Sequence, residues 1–283
     1  MVKDSFAKGF KLANKSFPLV LIFIIVSSVI NLATSPLTKK IQTTTAPYFG
    51  PNPEKMDWAV ISTILPALMA VFLINFVVNA YFRGGFWGYV SESVEKGRGS
   101  VKFFIKAAFT FFPRMVGLVL FSFVVSLAAF IAVSLSGIPF FVLAALMKSV
   151  TVLAGILAIL GVLAMIAAAV FASYFMIRFF GLAAMIAVAQ NKKIFEAVKQ
   201  SNAFLKKYFW PFVGLSLLYM VIYLLVVGAV FLVGKTSAPQ AVQVALGLVF
   251  GVILVYTSIA ARTSFLDFYL TQNNTSAEKS AKA

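Results

Sequence analysis

The side chains that most often carry acid–base, metal or nucleophilic chemistry are sparse in this sequence. Among its 283 residues there is no cysteine and no histidine, so thiol chemistry and the commonest metal ligand are absent. No GxSxG, HExxH or P-loop motif is present. A proton- or sodium-coupled pump usually places a carboxylate inside a long apolar segment. All eight carboxylates of this chain lie outside such segments: Asp4, Glu54, Asp57, Glu92, Glu95, Glu196, Asp267 and Glu278. We therefore predict no catalytic residue, metal site, cofactor or enzyme activity.

Three arginines are the remaining candidates for chemistry. Arg83, Arg178 and Arg262 each follow a long uncharged run, and each has a polar residue four positions earlier, on the same face of a helix. These polar residues are Asn79, Tyr174 and Ser258. A ring of three guanidinium groups could hold a phosphate or carboxylate in bidentate geometry. The alternative is that each arginine snorkels to the inner lipid headgroups, and that the residues after it lie flat on the membrane.

The depth of Arg178 decides between these two interpretations. Thirteen uncharged residues separate it from Lys192. If its helix continues to Asn191, Arg178 lies about 20 Å from the helix end, well inside the lipid. Glu92 and Glu95 are interpreted as a solvated face that balances Lys96 and Arg98.

The elements that must position these arginines are membrane helices. The chain is 61% hydrophobic and 11% charged, with a mean hydropathy of +0.99. Six uncharged runs are each long enough to cross a hydrocarbon core of about 30 Å. They cover residues 16–38, 58–82, 115–147, 149–177, 208–234 and 236–261. We predict that the third span ends near Leu135 and that Phe140–Val150 is re-entrant, interfacial or part of the fourth span.

The net charge of +16 follows the membrane topology. When segments are assigned alternately to the two sides, 19 of the 24 lysines and arginines fall on one side and five on the other. The positive-inside rule therefore places both termini in the cytoplasm. No soluble basic domain exists to bind nucleic acid, so the charge indicates attraction to anionic lipid.

A repeated cassette organises the chain into three tandem units. Each begins with a basic amphipathic segment, which we expect to lie on the membrane surface, and reaches a proline hinge that opens a span. The hinge prolines, Pro18, Pro113 and Pro211, lie 95 and 98 residues apart. The lysines that we expect to contact the membrane surface are Lys102, Lys106, Lys192, Lys193, Lys199, Lys206 and Lys207.

The apolar stripes of these segments recur at three or four residue steps. In the first copy the stripe is Phe6, Phe10, Ala13 and Phe17, and in the third it is Ile194, Val198, Ser201 and Leu205. We predict an all-α membrane bundle of six transmembrane helices, built as three helical hairpins, each preceded by an amphipathic surface helix. A single membrane domain covers 1–270, with repeats at about 1–92, 93–190 and 191–270. The outer loop 35–57 is expected to be irregular, and 271–283 to be a polar, disordered cytoplasmic tail.

The cassette also carries a family resemblance. AQNKKIFEAVKQS leading into YFWPFVGLSLL resembles a group of prokaryotic six-span membrane proteins of unknown function. This group is related to the membrane region of some glycerophosphodiester phosphodiesterases. The resemblance covers nearly the whole chain and implies a multi-pass protein of the cytoplasmic membrane of a prokaryote, with no activity carried over.

These observations favour a non-catalytic membrane protein that handles or senses anionic lipid or assists a membrane-protein partner. The alternative is an uncoupled permease or exporter for a small amphiphilic solute, which would need a polar cavity that reaches the midplane.

The charge distribution predicts a specific topology. Reporter fusions after residues 98, 192 and 283 should give a cytoplasmic signal, and fusions near residues 45 and 237 should give a signal from the opposite side. Fluorescent and periplasmic-type reporters fused to the full-length chain measure this directly. A cytoplasmic signal at residue 45 would invert the assignment of both sides.

Overall fold

A computed structural model describes residues 2–48, 58–97, 99–147, 149–234 and 240–281 of the chain. These residues form eight α-helices and two short 3₁₀ turns, and no strand occurs among them, which confirms an all-helical chain. The helices are α1 (Val2–Ala13), α2 (Phe17–Thr45), α3 (Trp58–Lys96), α4 (Val101–Leu146), α5 (Thr151–Phe180), α6 (Ala183–Ala189), α7 (Ile194–Gly234) and α8 (Gln240–Ala281).

Five segments of the described chain are long and apolar enough to cross a membrane. They are Trp58–Lys96, Val101–Leu146, Thr151–Ala189, Ile194–Ala229 and Leu246–Asn273. Helix α2 covers the first predicted span with 29 residues but is not one of the five. A multi-pass membrane class is thus supported, whereas the sixth span and the tandem hairpins stay predictions.

Several helices extend beyond their predicted ends. Helix α4 has 46 residues, about 69 Å at the usual rise, and it runs through Pro139 to Leu146. The predicted end of the third span near Leu135 is therefore wrong, and residues 140–146 belong to α4. A proline is tolerated inside a membrane helix because neighbouring groups can satisfy the backbone that it frees.

The predicted outer loop and the predicted tail are also partly helical. Helix α2 continues to Thr45, and Thr38 and Thr45 donate hydrogen bonds to carbonyls four residues earlier. The rest of the loop, 49–57, lies outside the described residues. The backbone of α8 continues to Ala281, through the segment for which we expected disorder.

The chain divides into two compact units. The first contains Met1–Phe112 and Trp210–Ala283, and the second contains Pro113–Phe209. Both boundaries fall at predicted hinges. In α7 the backbone leaves helical geometry at Tyr208 (φ −117°, ψ 28°), three residues before Pro211, and Pro18 lies in the first turn of α2. Helix α4, by contrast, continues past Pro113.

The core of the first unit lies around Arg83 of α3 and Arg262 of α8 and in the turns that follow them. Buried residues cluster between Ala80 and Ser93 of α3, between Phe104 and Ala108 of α4, and between Val255 and Gln272 of α8. In the most apolar windows of the five candidate spans, only 6% to 28% of residues are buried. Helices gain little from hydrophobic burial in lipid, so the protein's own contacts concentrate outside those windows.

Three glycines allow α3 and α4 to meet closely. A Cβ at Gly85 would lie 2.6 Å from the ring of Phe104, and one at Gly88 would overlap Ala107. Gly84 and Gly85 follow Arg83, where the chain could have bent, but α3 continues as a helix to Lys96. The glycines therefore serve packing between helices.

The first helix docks on α8 through small residues. The buried residues of α1 are Ser5, Gly9 and Ala13, and a Cβ at Gly9 would overlap the side chain of Ser264. Ser5 donates a hydrogen bond of 2.8 Å to Asp267, and Lys8 forms an ion pair with the same carboxylate. These contacts hold α1 against α8.

The predicted aromatic stripe of α1 lies beside this contact. Phe6 and Phe10 have ring centroids 5.0 and 5.8 Å from that of Tyr219 in α7. Tyr256 of α8 donates to the carbonyl of Phe10 at 3.2 Å. The stripe therefore contacts α7 and α8.

The approach of α1 to α8 makes Gly9 sensitive to substitution. Gly9→Leu should lower the free energy of unfolding by about 1–3 kcal/mol, because the added side chain overpacks a closed contact. Thermal unfolding of the detergent-solubilised protein measures the change. Gly155→Leu is the matched control, since nothing lies within 4 Å of a Cβ placed there. Equal unfolding temperatures for the two variants would contradict the close contact.

Candidate anion-binding site

Helices α2, α3 and α8 enclose a cavity of about 460 Å³ that contains two of the three predicted arginines. Asn75, Asn79 and Arg83 follow one another at four-residue steps and share a face of α3. Arg262 comes from α8. We call this cavity the arginine pocket; it is lined by Ile30, Asn31, Asn75, Val78, Asn79, Phe82, Arg83, Phe86 and Arg262.

The guanidinium of Arg83 is oriented by its neighbour on the helix. Its Nε donates a hydrogen bond of 2.8 Å to Oδ1 of Asn79. The spacing in the sequence predicted this pair. The amide of Asn75, one turn earlier, donates to the carbonyl of Val71 at 2.8 Å. Both asparagines thus have defined orientations at the pocket wall.

Arg262 has an unusual environment. Its guanidinium carbon lies 4.4 Å from the ring centroid of Phe86, in cation–π geometry. Its Nη1 is buried and has no hydrogen-bond partner among the described residues. The positive charge of Arg83 acts on it across the same pocket. Burying a cation beside a like charge costs free energy unless an opposite charge compensates it.

No carboxylate lines the arginine pocket in the described part of the chain. The two guanidinium groups and the amides of Asn31, Asn75 and Asn79 instead provide hydrogen-bond donors. Such a set of groups suits a phosphate or a carboxylate and offers neither a nucleophile nor a general base. The chemistry that these donors permit is the binding of an anion.

Arg178 belongs to the second unit and has different partners. Its Nη1 donates to the hydroxyl of Tyr174 at 3.0 Å, as the spacing predicted, and its Nε is buried without a partner among the described residues. Helix α5 ends two residues later, at Phe180, so the helix does not continue to Asn191. The candidate span Thr151–Ala189 nevertheless continues beyond Arg178, so the depth of this arginine in the lipid stays a prediction. Its membership of a three-arginine ring stays a prediction.

Ser201 closes the chain turn that follows Arg178. Its hydroxyl donates to the carbonyl of Arg178 at 3.0 Å and accepts from the amide of Leu182 at 3.3 Å. Ala197, Val198, Ser201 and Leu205 of α7 are buried, so the predicted stripe of the third copy is largely covered.

Ser258 does not join the arginine pocket. It lines a separate cavity of about 460 Å³ together with Tyr219 and Phe265. No hydrogen bond between Ser258 and Arg262 occurs in the described chain. Sequence reasoning missed Asn31, Asn75 and Phe86; only Asn75 had a visible signal, because it lies four residues before Asn79.

The predicted surface lysines are all exposed: Lys102, Lys106, Lys192, Lys193, Lys199, Lys206 and Lys207. Glu92, in contrast, is buried, which corrects its interpretation as part of a solvated face. Its carboxylate accepts from the amide of Ser100 at 2.9 Å and from the hydroxyl at 3.1 Å. It thereby satisfies donors at the start of α4, where backbone amides have no partner within the helix.

From the charge of Arg262 we predict how the free energy of unfolding of the delipidated protein changes when this residue is replaced. In delipidated protein, Arg262→Met should raise the free energy of unfolding by about 1 kcal/mol, because the uncompensated charge is removed while a flexible side chain can still cover Phe86. Thermal unfolding in detergent, with lipid content checked by mass spectrometry, measures it. Lys106→Met, which removes an exposed cation, is the control. A clear loss of stability in Arg262→Met would show that its charge is compensated within the protein.

Comparisons with protein-family models, with curated proteins and with solved structures found no match. The resemblance to six-span membrane proteins stays a prediction. The chemistry that the arginine pocket permits rests on the side chains that line it.

Proposed function

We propose that this chain is a non-catalytic integral membrane protein that handles or senses anionic lipid by binding the lipid headgroup in the arginine pocket. One observation carries the proposal: Nη1 of Arg262 is buried without a hydrogen-bond partner in the part of the chain that the structure describes, beside the like charge of Arg83. A bound anion would compensate both charges. Hydrogen bonds from ionised donors to an anion contribute roughly 1.5–3 kcal/mol each, more than those between neutral groups.

The geometry of Arg83 supports the same proposal. Asn79 accepts from its Nε, and Arg83 lines the pocket, so its two terminal nitrogens remain to bind an anion as a fork. A guanidinium fork matches two oxygens of a phosphate, whereas a lysine ammonium acts as a point charge. The neutral amides of Asn31 and Asn75 add donors without adding charge.

The proposed setting is the cytoplasmic membrane of a prokaryote. In this proposal α2 is the first of six spans, three hairpins follow in tandem, each after an amphipathic helix, and both termini are cytoplasmic. The exposed lysines would then face the inner leaflet, where each adds about 1 kcal/mol of attraction to anionic lipid near the surface. The lysines would bring the protein and its ligand to the same leaflet, and the arginine pocket would select one headgroup.

A second candidate is an uncoupled permease or exporter for a small amphiphile. Asn31 favours it, because this residue lines both the arginine pocket and a further cavity of about 320 Å³ beside Ser28, Gly247 and Gly251. A transported solute needs polar groups in succession along its path. Uptake or efflux of an anionic amphiphile by vesicles that contain the purified protein separates the two candidates.

Replacing the pocket arginines by lysine tests the lipid proposal. Arg83→Lys and Arg262→Lys keep the charge and lose the fork, so roughly 1–3 kcal/mol of binding should be lost, equivalent to about 5- to 150-fold. Native mass spectrometry of the purified protein measures copurified anionic phospholipid, with zwitterionic phospholipid as an internal reference.

The matched control is the double variant Lys106→Gln with Lys199→Gln, which removes two exposed cations and leaves the pocket intact. It should retain its anionic lipid. Equal anionic-lipid content in the wild type and both arginine variants would contradict the proposal, and an equal loss in the control would mean attraction by surface charge alone.

A further inference from the structure

A second cavity adjoins the arginine pocket within the first unit. It has a volume of about 550 Å³ and shares Ile30, Val78 and Phe82 with the arginine pocket. Its remaining walls come from α2, α3 and the first turns of α4, among them Val26, Tyr81 and Phe109. We call this second cavity the apolar groove.

The apolar groove has no charged side chain in its lining. Apart from the phenol of Tyr81, its side chains are hydrocarbon. Its rim is open: Val77 on α3 and Ile105 on α4 are 47% and 46% exposed, and Phe109 is 67% exposed. Phe109 packs edge-on against Tyr81, with ring centroids 5.1 Å apart, so the wall has a defined shape.

The contact between the two cavities limits what can occupy them. The arginine pocket needs an anion, and the apolar groove offers only apolar surface. Each volume is within the range of about 300–1,000 Å³ that is usual for small-ligand sites. Because they meet at Ile30, Val78 and Phe82, one molecule with an anionic end and a hydrocarbon end can fill both.

We propose that the apolar groove binds an acyl chain of the same lipid whose headgroup lies in the arginine pocket. The inference rests on the proposed function and narrows it, because the ligand must be a long-chain anionic amphiphile, and a water-soluble anion alone would leave the groove empty. The open rim between α3 and α4 lets the chain enter from the side. Lipid tails are as apolar as the groove, so in the membrane the groove orients the ligand more than it attracts it.

Titration with two soluble ligands tests this inference. Delipidated protein in detergent is titrated with glycerol 3-phosphate, which has a headgroup and no chain, and with a dihexanoyl phosphatidic acid. Isothermal calorimetry gives both dissociation constants. The wild type should bind the phosphatidic acid at least about tenfold more tightly than glycerol 3-phosphate, since burial of about two methylene groups is worth that factor.

Two variants fill the groove from opposite walls. Val77→Trp on α3 and Ile105→Trp on α4 should each weaken binding of the phosphatidic acid about tenfold and leave glycerol 3-phosphate unchanged. Leu73→Trp is the matched control: it lies one turn from Val77 on α3, is 52% exposed and does not line the groove. Size-exclusion chromatography checks that all three variants stay folded.

The possible outcomes separate the groove from the pocket. If the two groove variants bind the phosphatidic acid like the wild type, or if the wild type binds both ligands equally, the acyl-chain site is wrong while headgroup binding stands. If Arg262→Gln leaves the affinity for both ligands unchanged, the proposed function itself fails. The headgroup site and the acyl-chain site are both supported if Arg262→Gln binds both ligands more weakly and Val77→Trp binds only the phosphatidic acid more weakly.

Discussion

The arrangement of the first unit depends on one electrostatic constraint: the guanidinium of Arg262 packs on Phe86 beside the charge of Arg83, and its Nη1 is buried with no hydrogen-bond partner among the described residues. Such a group is held in place only if the helices around it cannot relax apart. Lipid gives helices little reason to associate, so the holding force must come from close packing and hydrogen bonds. Glycines between α3 and α4, and the contacts of α1 with α8 through Gly9 and Asp267, supply it in the turns that follow the two arginines.

The features that the sequence could predict are those that depend on neighbours along the chain. Long uncharged runs predict membrane helices because every backbone group must be satisfied within the span. A four-residue step predicts a shared helix face, and Asn79 with Arg83 and Tyr174 with Arg178 are hydrogen-bonded in this way. Helix ends were predicted less well. Glu92 caps α4 from the preceding helix, a contact that depends on groups brought close by folding, and α4 continues past Pro139.

Contacts between residues that are far apart in the chain could not be predicted from the sequence, for a different reason. Periodicity gives weight to large apolar residues, so the predicted stripe contained Ala13 among phenylalanines, and it missed Ser5 and Gly9, the other two residues that are buried in α1. In a membrane protein small residues mark the closest helix contacts, and they add little to an apolar stripe. The same limit applies to the arginines. Their spacing could not show that Arg83 and Arg262 would line one pocket, or that α5 would end just after Arg178.

Two populations of cations must therefore be distinguished in this chain. Charge counting treats them alike, since arginines and lysines at the inner ends of spans all satisfy the positive-inside rule. An exposed lysine that faces headgroups costs the protein little, because water and lipid compensate its charge. A buried guanidinium whose charge is not compensated lowers the free energy of unfolding of the protein. Groups of this kind are retained where function needs them. Buried nitrogens without a hydrogen-bond partner in the described chain occur in both Arg178 and Arg262, and Arg262 also shares a cavity with Arg83. Burial together with this shared cavity, rather than net charge, thus points to the arginine pocket, and the adjoining apolar groove then indicates which kind of anion suits it.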